Sequence, residues 1–318
     1  MPTVALSGVL AISLLRGLVP IGPPRGERPP VPSARTTVVT LGTGTPIPDP
    51  DRLGPATAIV VDSVAYLFDA GAGVVRSAAA AGRAGVAAFA GRLPGSQPAP
   101  RFAAIFLTHL HSDHTLGLAD AIFTPWIQGA PDPVPVIGPP GTSALVRGIL
   151  EGNAEDIRVR VASSGGPSRE GWRAAAREVE PGVVYRDARI TVRAFRVPHE
   201  DFTASYGYRI DTPDRSIVIS GDTRESEAVA EACDGCDVLV HEVYSDSGFT
   251  TVPPLRQRYH AAVHTSATGV GRVATNGRAK LVVLTHLLLF GATEERLLRE
   301  VRSTYGGTVV VARDGGRY

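Results

Sequence analysis

The side chains best equipped for chemistry stand in one run, His109-Leu-His-Ser-Asp-His114, entered directly from the apolar stretch Ala104-Ile-Phe-Leu107. Strand alternation puts His109 and His111 on the same side, and a turn after them brings Asp113 and His114 back toward the pair. Imidazole nitrogen and carboxylate oxygen are donors that zinc accepts, and no cysteine is placed to add a thiolate. A lone histidine is more often a hydrogen-bonded core or surface residue. Three histidines and an aspartate at one strand end would be costly to bury, and the histidines would repel one another when protonated. The run therefore predicts a metal site.

Such a site needs strands to carry it, and from Thr36 onward short β-branched runs alternate with Ala-rich or amphipathic ones. Strands are predicted over 37–41, 57–61, 65–68, 104–107, 134–137, 190–197, 205–210, 216–220, 238–241, 281–285 and 308–311. Helices are predicted over 73–90, 116–123, 143–152, 225–232, 266–274 and 293–304; Thr293 caps the last, with Glu294 and Glu295 near its positive end. Early strands read as hairpins and later ones are separated by helices. The expectation is an α/β fold, two mixed sheets face to face with helices on their outer faces. Residues 153–189 are polar and Gly-rich, and read as an insertion or flap. His199, Asp222 and His286 each follow an apolar strand, so three further ligand-type residues fall where strands give way to loops.

At this point the chain resembles the metallo-β-lactamase superfamily, from Thr36 to the C-terminus, and within it the branch containing ribonuclease Z and related arylsulfatases and phosphodiesterases. Besides the histidine run, the shared motifs are Leu-Gly-Thr-Gly-Thr at 41–45, Leu-Phe-Asp-Ala-Gly at 67–71, Pro198-His199 before Tyr206-Gly-Tyr-Arg, and Ser220-Gly-Asp-Thr. His241-Glu242, His264-Thr-Ser and Thr285-His286 complete them. The resemblance implies an αββα sandwich. It implies that His109, His111 and His199 hold one zinc ion, that Asp113, His114 and His286 hold the other, and that Asp222 bridges the two, with other divalent metals open. Two such ions share a water, lower its pKa toward neutrality and neutralise charge on the attacked ester. Asp113 is placed to orient or deprotonate that water. By the same resemblance His264 is a catalytic residue, a proton donor or a contact to substrate oxygens, with a helix-start hydrogen bond as the plainer alternative. His260 is a weaker candidate. His241 reads as a hydrogen-bond support to a ligand or as core packing, and Asp69 as a support or turn residue. The glycine-rich loop at 41–45 lacks the Lys of a phosphate loop; its expected use is close backbone approach to the site, with Pro46 to Arg52 as one wall.

Ribonuclease Z in bacteria carries a long arm for gripping transfer RNA between the positions matching His199 and Asp222, and only 22 residues lie between them here. The net charge is +1, and Lys280 is the single lysine, so no general basic surface compensates. The expected reaction is hydrolysis of a small phosphodiester or sulfate ester, with transfer RNA 3′-end cleavage as the alternative. A di-iron redox protein or a non-catalytic relative would show a Glu-containing ligand pattern or missing ligands, and neither is seen. Nucleic acid is therefore a disfavoured partner, and a homodimer is left open. Cys233 and Cys236 have no second pair with which to build a four-sulfur zinc site and read as buried small residues. The expected division is an N-terminal apolar segment with a Pro-rich linker at 1–35 and a hydrolase domain at 36–318. Residues 4–15 have the length of a signal-peptide core, which favours export or a periplasmic location over the cytoplasm, although no basic residue precedes them. They are too short to span a bilayer.

Overall fold

Strand alternation sorts the apolar side chains into three layers in the computed structural model, which describes residues 36–90, 100–199, 202 and 204–318. The apolar segment and linker expected at 1–35 lie outside the described residues. In chain order the strands are β1 (Thr36–Gly42), β2 (Ala56–Val61), β3 (Val64–Phe68), β4 (Ala104–Phe106), β5 (Val134–Gly138), β6 (Ala174–Glu178) and β7 (Gly182–Arg186). They continue with β8 (Thr191–Arg196), β9 (Tyr206–Asp211), β10 (Ser216–Ile219), β11 (Val238–Tyr244), β12 (Leu281–Leu288), β13 (Thr308–Val311) and β14 (Gly316–Arg317). They form two seven-stranded mixed sheets, in the orders β14-β1-β2-β3-β4-β5-β6 and β13-β12-β11-β10-β9-β8-β7.

Along β3, Tyr66 and Phe68 face the second sheet, where they join Tyr206, Tyr208, Ile210, Ile217 and Val240 in a shared core. Their neighbours Ala65 and Leu67 face the opposite way, against a layer of helices. That layer draws on α1 (Val74–Arg83) and, after the single turn α2 (Ser112–Thr115), on α3 (Leu118–Ile127), α4 (Thr142–Gly152) and α5 (Ala154–Ala162). The second sheet repeats the arrangement. Leu239, Val282 and Leu284 turn outward onto α6 (Glu227–Cys233), α9 (Ala267–Asn276) and α10 (Glu294–Arg302). Helices thus cover both outer faces, because each sheet has two apolar faces to bury and only one is taken by its partner. Between β11 and α9 lie α7 (Asp246–Phe249) and α8 (Pro254–Val263). No helix among the described residues is long and apolar enough to cross a membrane.

Residues 153–189 are not a flap. They contain α5, then β6 paired parallel to β5, then β7 paired antiparallel to β8, so the segment supplies one edge strand to each sheet. An edge strand pairs on one side only and tolerates polar residues, which is why Ala174-Ala-Ala-Arg-Glu178 lacks the β-branched alternation of an interior strand. Cys233 and Cys236 are fully buried, as expected of packing residues, and their sulfurs are joined as a disulfide.

Candidate metal centre

The end of β4 delivers the histidine run, and α2 folds it back. His109 Nε2 lies 3.0 Å from His111 Nδ1, and His199 Nε2, from the loop after β8, lies 3.2 Å from the same atom. Asp113 and His114 sit on α2. The Asp113 Oδ2 oxygen is 3.4 Å from His114 Nε2 and 3.3 Å from His286 Nε2. Asp222, in the loop after β10, lies between these clusters: its Oδ2 is 3.4 Å from His114 Nε2, 3.2 Å from His286 Nε2 and 4.0 Å from His109 Nε2. All seven ligand-type residues named from the sequence are therefore brought together: His109, His111, His199 and Asp222 in one group and Asp113, His114 and His286 in a second, while His264 joins Asp222 and His286 in a third.

His286 reaches the centre by a route that alternation alone does not predict. The strand β12 does not stop at Thr285 but runs on to Leu288, and simple parity would turn His286 toward the outer helices with Leu284. Instead the pairing with β11 skips it: Glu242 opposes Thr285 and Val243 opposes Leu287. The extra residue is a bulge with φ +47°, a left-handed conformation costly for histidine, and it re-aims the imidazole at Asp113 and Asp222.

The protonation pattern fits a cation. His199 Nδ1 donates to the Val263 carbonyl at 3.0 Å, which leaves its Nε2 as a bare lone pair. His114 Nδ1 donates to Asp69 Oδ2 at 2.9 Å, and its Nε2 is buried without a hydrogen-bond partner. The Thr108 hydroxyl donates to the same carboxylate, so its oxygen accepts from His109 Nδ1 at 2.9 Å and frees the His109 Nε2 lone pair. Asp69 also accepts from the Thr108 amide at 2.8 Å and has φ +59°, so it is both a support and a turn residue. Imidazole nitrogens and carboxylate oxygens converge within a few ångströms of one another, the donor types that a divalent metal accepts.

Burial lowers the His109 pKa well below the ordinary imidazole value and lowers that of His199 to about 4. Burial would do the same to His114 and His286, but the Asp222 charge holds both above it. Burial alone would raise the Asp222 carboxyl; His286 and His114 hold it well below the usual range. Two buried carboxylates among these histidines supply the oxygen and nitrogen donors that a divalent metal accepts.

His264, the residue after α8, points Nδ1 at Glu242 Oε2, 3.3 Å away, and lies 3.9 Å from Asp222 Oδ2. It does not open α9, as the sequence suggested; Ser266 caps that helix through the Gly269 amide. Glu242 is buried, and its other oxygen accepts from the Thr265 amide at 2.6 Å. Alternation explains why Glu242 rather than His241 reaches the centre. Glu242 shares the inter-sheet side with Val240, whereas His241 lies on the helix side with Leu239. His241 Nδ1 bonds only to the Glu242 carbonyl and its Nε2 has no partner, so no hydrogen bond joins it to a ligand residue. Sequence reading gave Thr108 and Glu242 no role; for Glu242 the signal was its parity with Val240. Phe202, packed 4.7 Å from the His111 ring and 5.8 Å from that of His199, was also missed.

The glycine-rich loop does approach closely. A side chain on Gly42 or Gly71 would collide with the backbone of Gly54, and the Thr43 carbonyl accepts from the amide of Leu287, next to His286. A roomier groove of about 660 Å³, walled by Val146, Leu150, Ile157 and Trp172, lies away from this centre and holds no histidine.

Fold and side-chain geometry together define a two-sheet sandwich with a candidate divalent-metal centre between the strand ends. A family model described as the β-lactamase superfamily domain matches residues 65–287. Ribonuclease Z of Mycobacterium bovis (strain BCG / Pasteur 1173P2) is 32% identical over 286 residues, covering 87% of this chain and 95% of that protein. Among solved structures, the metallo-β-lactamase fold protein YhfI from Bacillus subtilis matches with a TM-score of 0.63 and 18% identity, covering 89% of this chain and 99% of that one. The short form of human tRNase Z matches with the same TM-score and 21% identity, over 89% of this chain and 98% of that one. The chain belongs to the metallo-β-lactamase superfamily, in its ribonuclease Z branch. It is a metal-dependent hydrolase acting on ester bonds.

Proposed function

We propose that the protein is a binuclear zinc phosphodiesterase of the ribonuclease Z kind, cleaving RNA at transfer RNA 3′ ends. The observation that carries the metal reading is the position of the Asp222 carboxylate between two sets of histidine nitrogens. In this reading His109, His111 and His199 hold one ion, Asp113, His114 and His286 the other, and Asp222 both. Two ions bound there supply Lewis acidity and neutralise charge on the phosphodiester. Asp113 orients the attacking water and takes its proton. His264, whose Nδ1 lies 3.9 Å from Asp222 Oδ2, hands a proton to the leaving oxygen.

The preference for a small ester read from the sequence gives way here. The short interval between His199 and Asp222 is filled by β9, a turn and β10, which leaves no room for an RNA-gripping arm. Yet the 286 aligned residues take in 95% of the Mycobacterium bovis relative and 87% of this chain, so that ribonuclease Z has no long arm that this chain lacks. The short interval therefore does not separate the two. A small phosphodiester remains the second reading, favoured by the net charge of +1, which provides little general attraction for a polyanion.

The test is to offer zinc-loaded protein a 3′-extended transfer RNA, bis-p-nitrophenyl phosphate and p-nitrophenyl sulfate, each with and without chelator. Metal-dependent cleavage of the RNA is expected, with slower turnover of the small diester. Turnover of the diester without RNA cleavage supports the second reading, and the sulfate alone being cleaved refutes both.

A further inference from the structure

His286 holds a left-handed backbone conformation that its own side chain disfavours, so something outside β12 has to keep it there. On the side facing β11 the pairing resumes at Leu287. On the other side the pairing with β13 ends at Leu284, and the loop after β1 takes over: the Thr43 carbonyl accepts from the Leu287 amide at 3.3 Å. Thr43 is fully buried, and its hydroxyl is fixed from two directions. It donates to Asp314 Oδ1 at 2.8 Å and accepts from Arg52 Nη1 at 2.7 Å. The Arg52 side chain is only 8% exposed, and its fork reaches two further acceptors, the Ala312 carbonyl at 3.1 Å and Glu294 Oε1 at 2.6 Å. Asp314 returns to the same loop by accepting from the Leu53 amide at 2.6 Å. Thr43 and Arg52 lie between β1 and β2, Ala312 and Asp314 follow β13, and Glu294 opens α10, so one guanidinium ties the two sheets together beside the bulge. Planar and always charged, it satisfies three acceptors in fixed directions.

We propose that Arg52 is a positioning residue for the metal centre, setting the Thr43 carbonyl where it holds the His286 bulge. It touches no ligand itself. Its effect passes through Thr43 to Leu287, and from there to the aim of the His286 imidazole at Asp113 and Asp222. The consequence for metal rests on the two-ion reading, whereas the restraint on Leu287 is a property of the chain alone.

Zinc titration of metal-free, full-length protein and amide hydrogen exchange over residues 285–288 test it together. Arg52→Ala should weaken binding of one of the two ions at least about tenfold, the lower end of the cost of losing a group that orients a ligand, and leave the other ion bound as before. In the metal-free protein it should speed exchange at the Leu287 amide. Thr43→Val, which removes the hydroxyl, should reproduce both effects, and it carries the test should Arg52→Ala fail to fold. Thr43→Ser, which keeps the hydroxyl, should show neither. Arg313→Ala removes the outer partner of Glu294 at a side chain 68% exposed, and should leave affinity and exchange unchanged. A merely structural role would weaken both ions alike. Unchanged affinity for both ions, an equal loss of both, or unchanged exchange at Leu287 overturns the proposal. Faster exchange at Leu287, in a protein whose unaltered form binds fewer than two ions, leaves the hold of Arg52 on the bulge standing and removes the two-ion reading instead.

Discussion

Asp69 reaches two histidines of the run at once, His114 directly and His109 through the Thr108 hydroxyl. It fixes which nitrogen of each ring carries the proton, and thereby which presents a lone pair to the centre. Asp69→Ala should therefore lower metal affinity roughly 10- to 100-fold, the usual cost of losing such a partner, while leaving every proposed ligand in place. Competition against a chromogenic chelator measures it; unchanged affinity would mean that the tautomers are set elsewhere. At this scale the ligand types were legible in the sequence, because three histidines and an aspartate in six residues have few other uses. Their supports were less so. Thr108 is an unremarkable hydroxyl at a strand end, and its part depends on Asp69, 39 positions earlier in the chain, which only the β3–β4 pairing brings alongside.

Among the elements, β12 and α7 show how the centre and the segment beside it are held. The bulge at His286 could not be read from the chain, since a one-residue register shift is a property of the pair β11–β12 and not of either strand alone. The helix α8 was missed for a different reason: Pro254–Val263 buries only His260 and Val263, so it has no apolar stripe to betray it. Its Pro at the first position was the available signal. Ahead of it, α7 is anchored by Glu300 of α10, whose carboxylate accepts from the Asp246 and Ser247 amides, each at 3.0 Å, and from the Ser245 hydroxyl at 2.9 Å. Burial would raise this carboxyl, but the hydrogen bonds from Ser247, Ser245 and Arg296 hold it below the ordinary range. A lowered folded-state pKa stabilises above the unfolded value of about 4.3 and ceases to do so as pH falls through the folded value. Glu300→Gln should cost about 1.5–3 kcal/mol at neutral pH, the range for hydrogen bonds to a charged group. The gap from the unaltered protein should close in acid. Denaturant melts at pH 7 and at pH 3 to 4 decide it, and a gap independent of pH would contradict the assignment.

At the scale of the whole molecule, the sandwich exists because each sheet buries one face against its partner and the other under helices, and alternation along β3 and β11 records this residue by residue. That much was legible, as was the order of most strands. The two edge strands in residues 153–189 were not, because an edge need not be apolar on both faces. The proposed ligands come from the ends of β4, β8 and β10, from α2 and from the bulge in β12, distributed over both sheets, so the centre forms only when the sheets are face to face. The most direct test is the metal content per chain of natively purified protein, measured for the unaltered sequence, Asp222→Ala and His264→Ala. The account predicts two zinc equivalents for the unaltered protein and for His264→Ala, and fewer than two for Asp222→Ala. One equivalent or none in the unaltered protein, or a site emptied by His264→Ala, would contradict it.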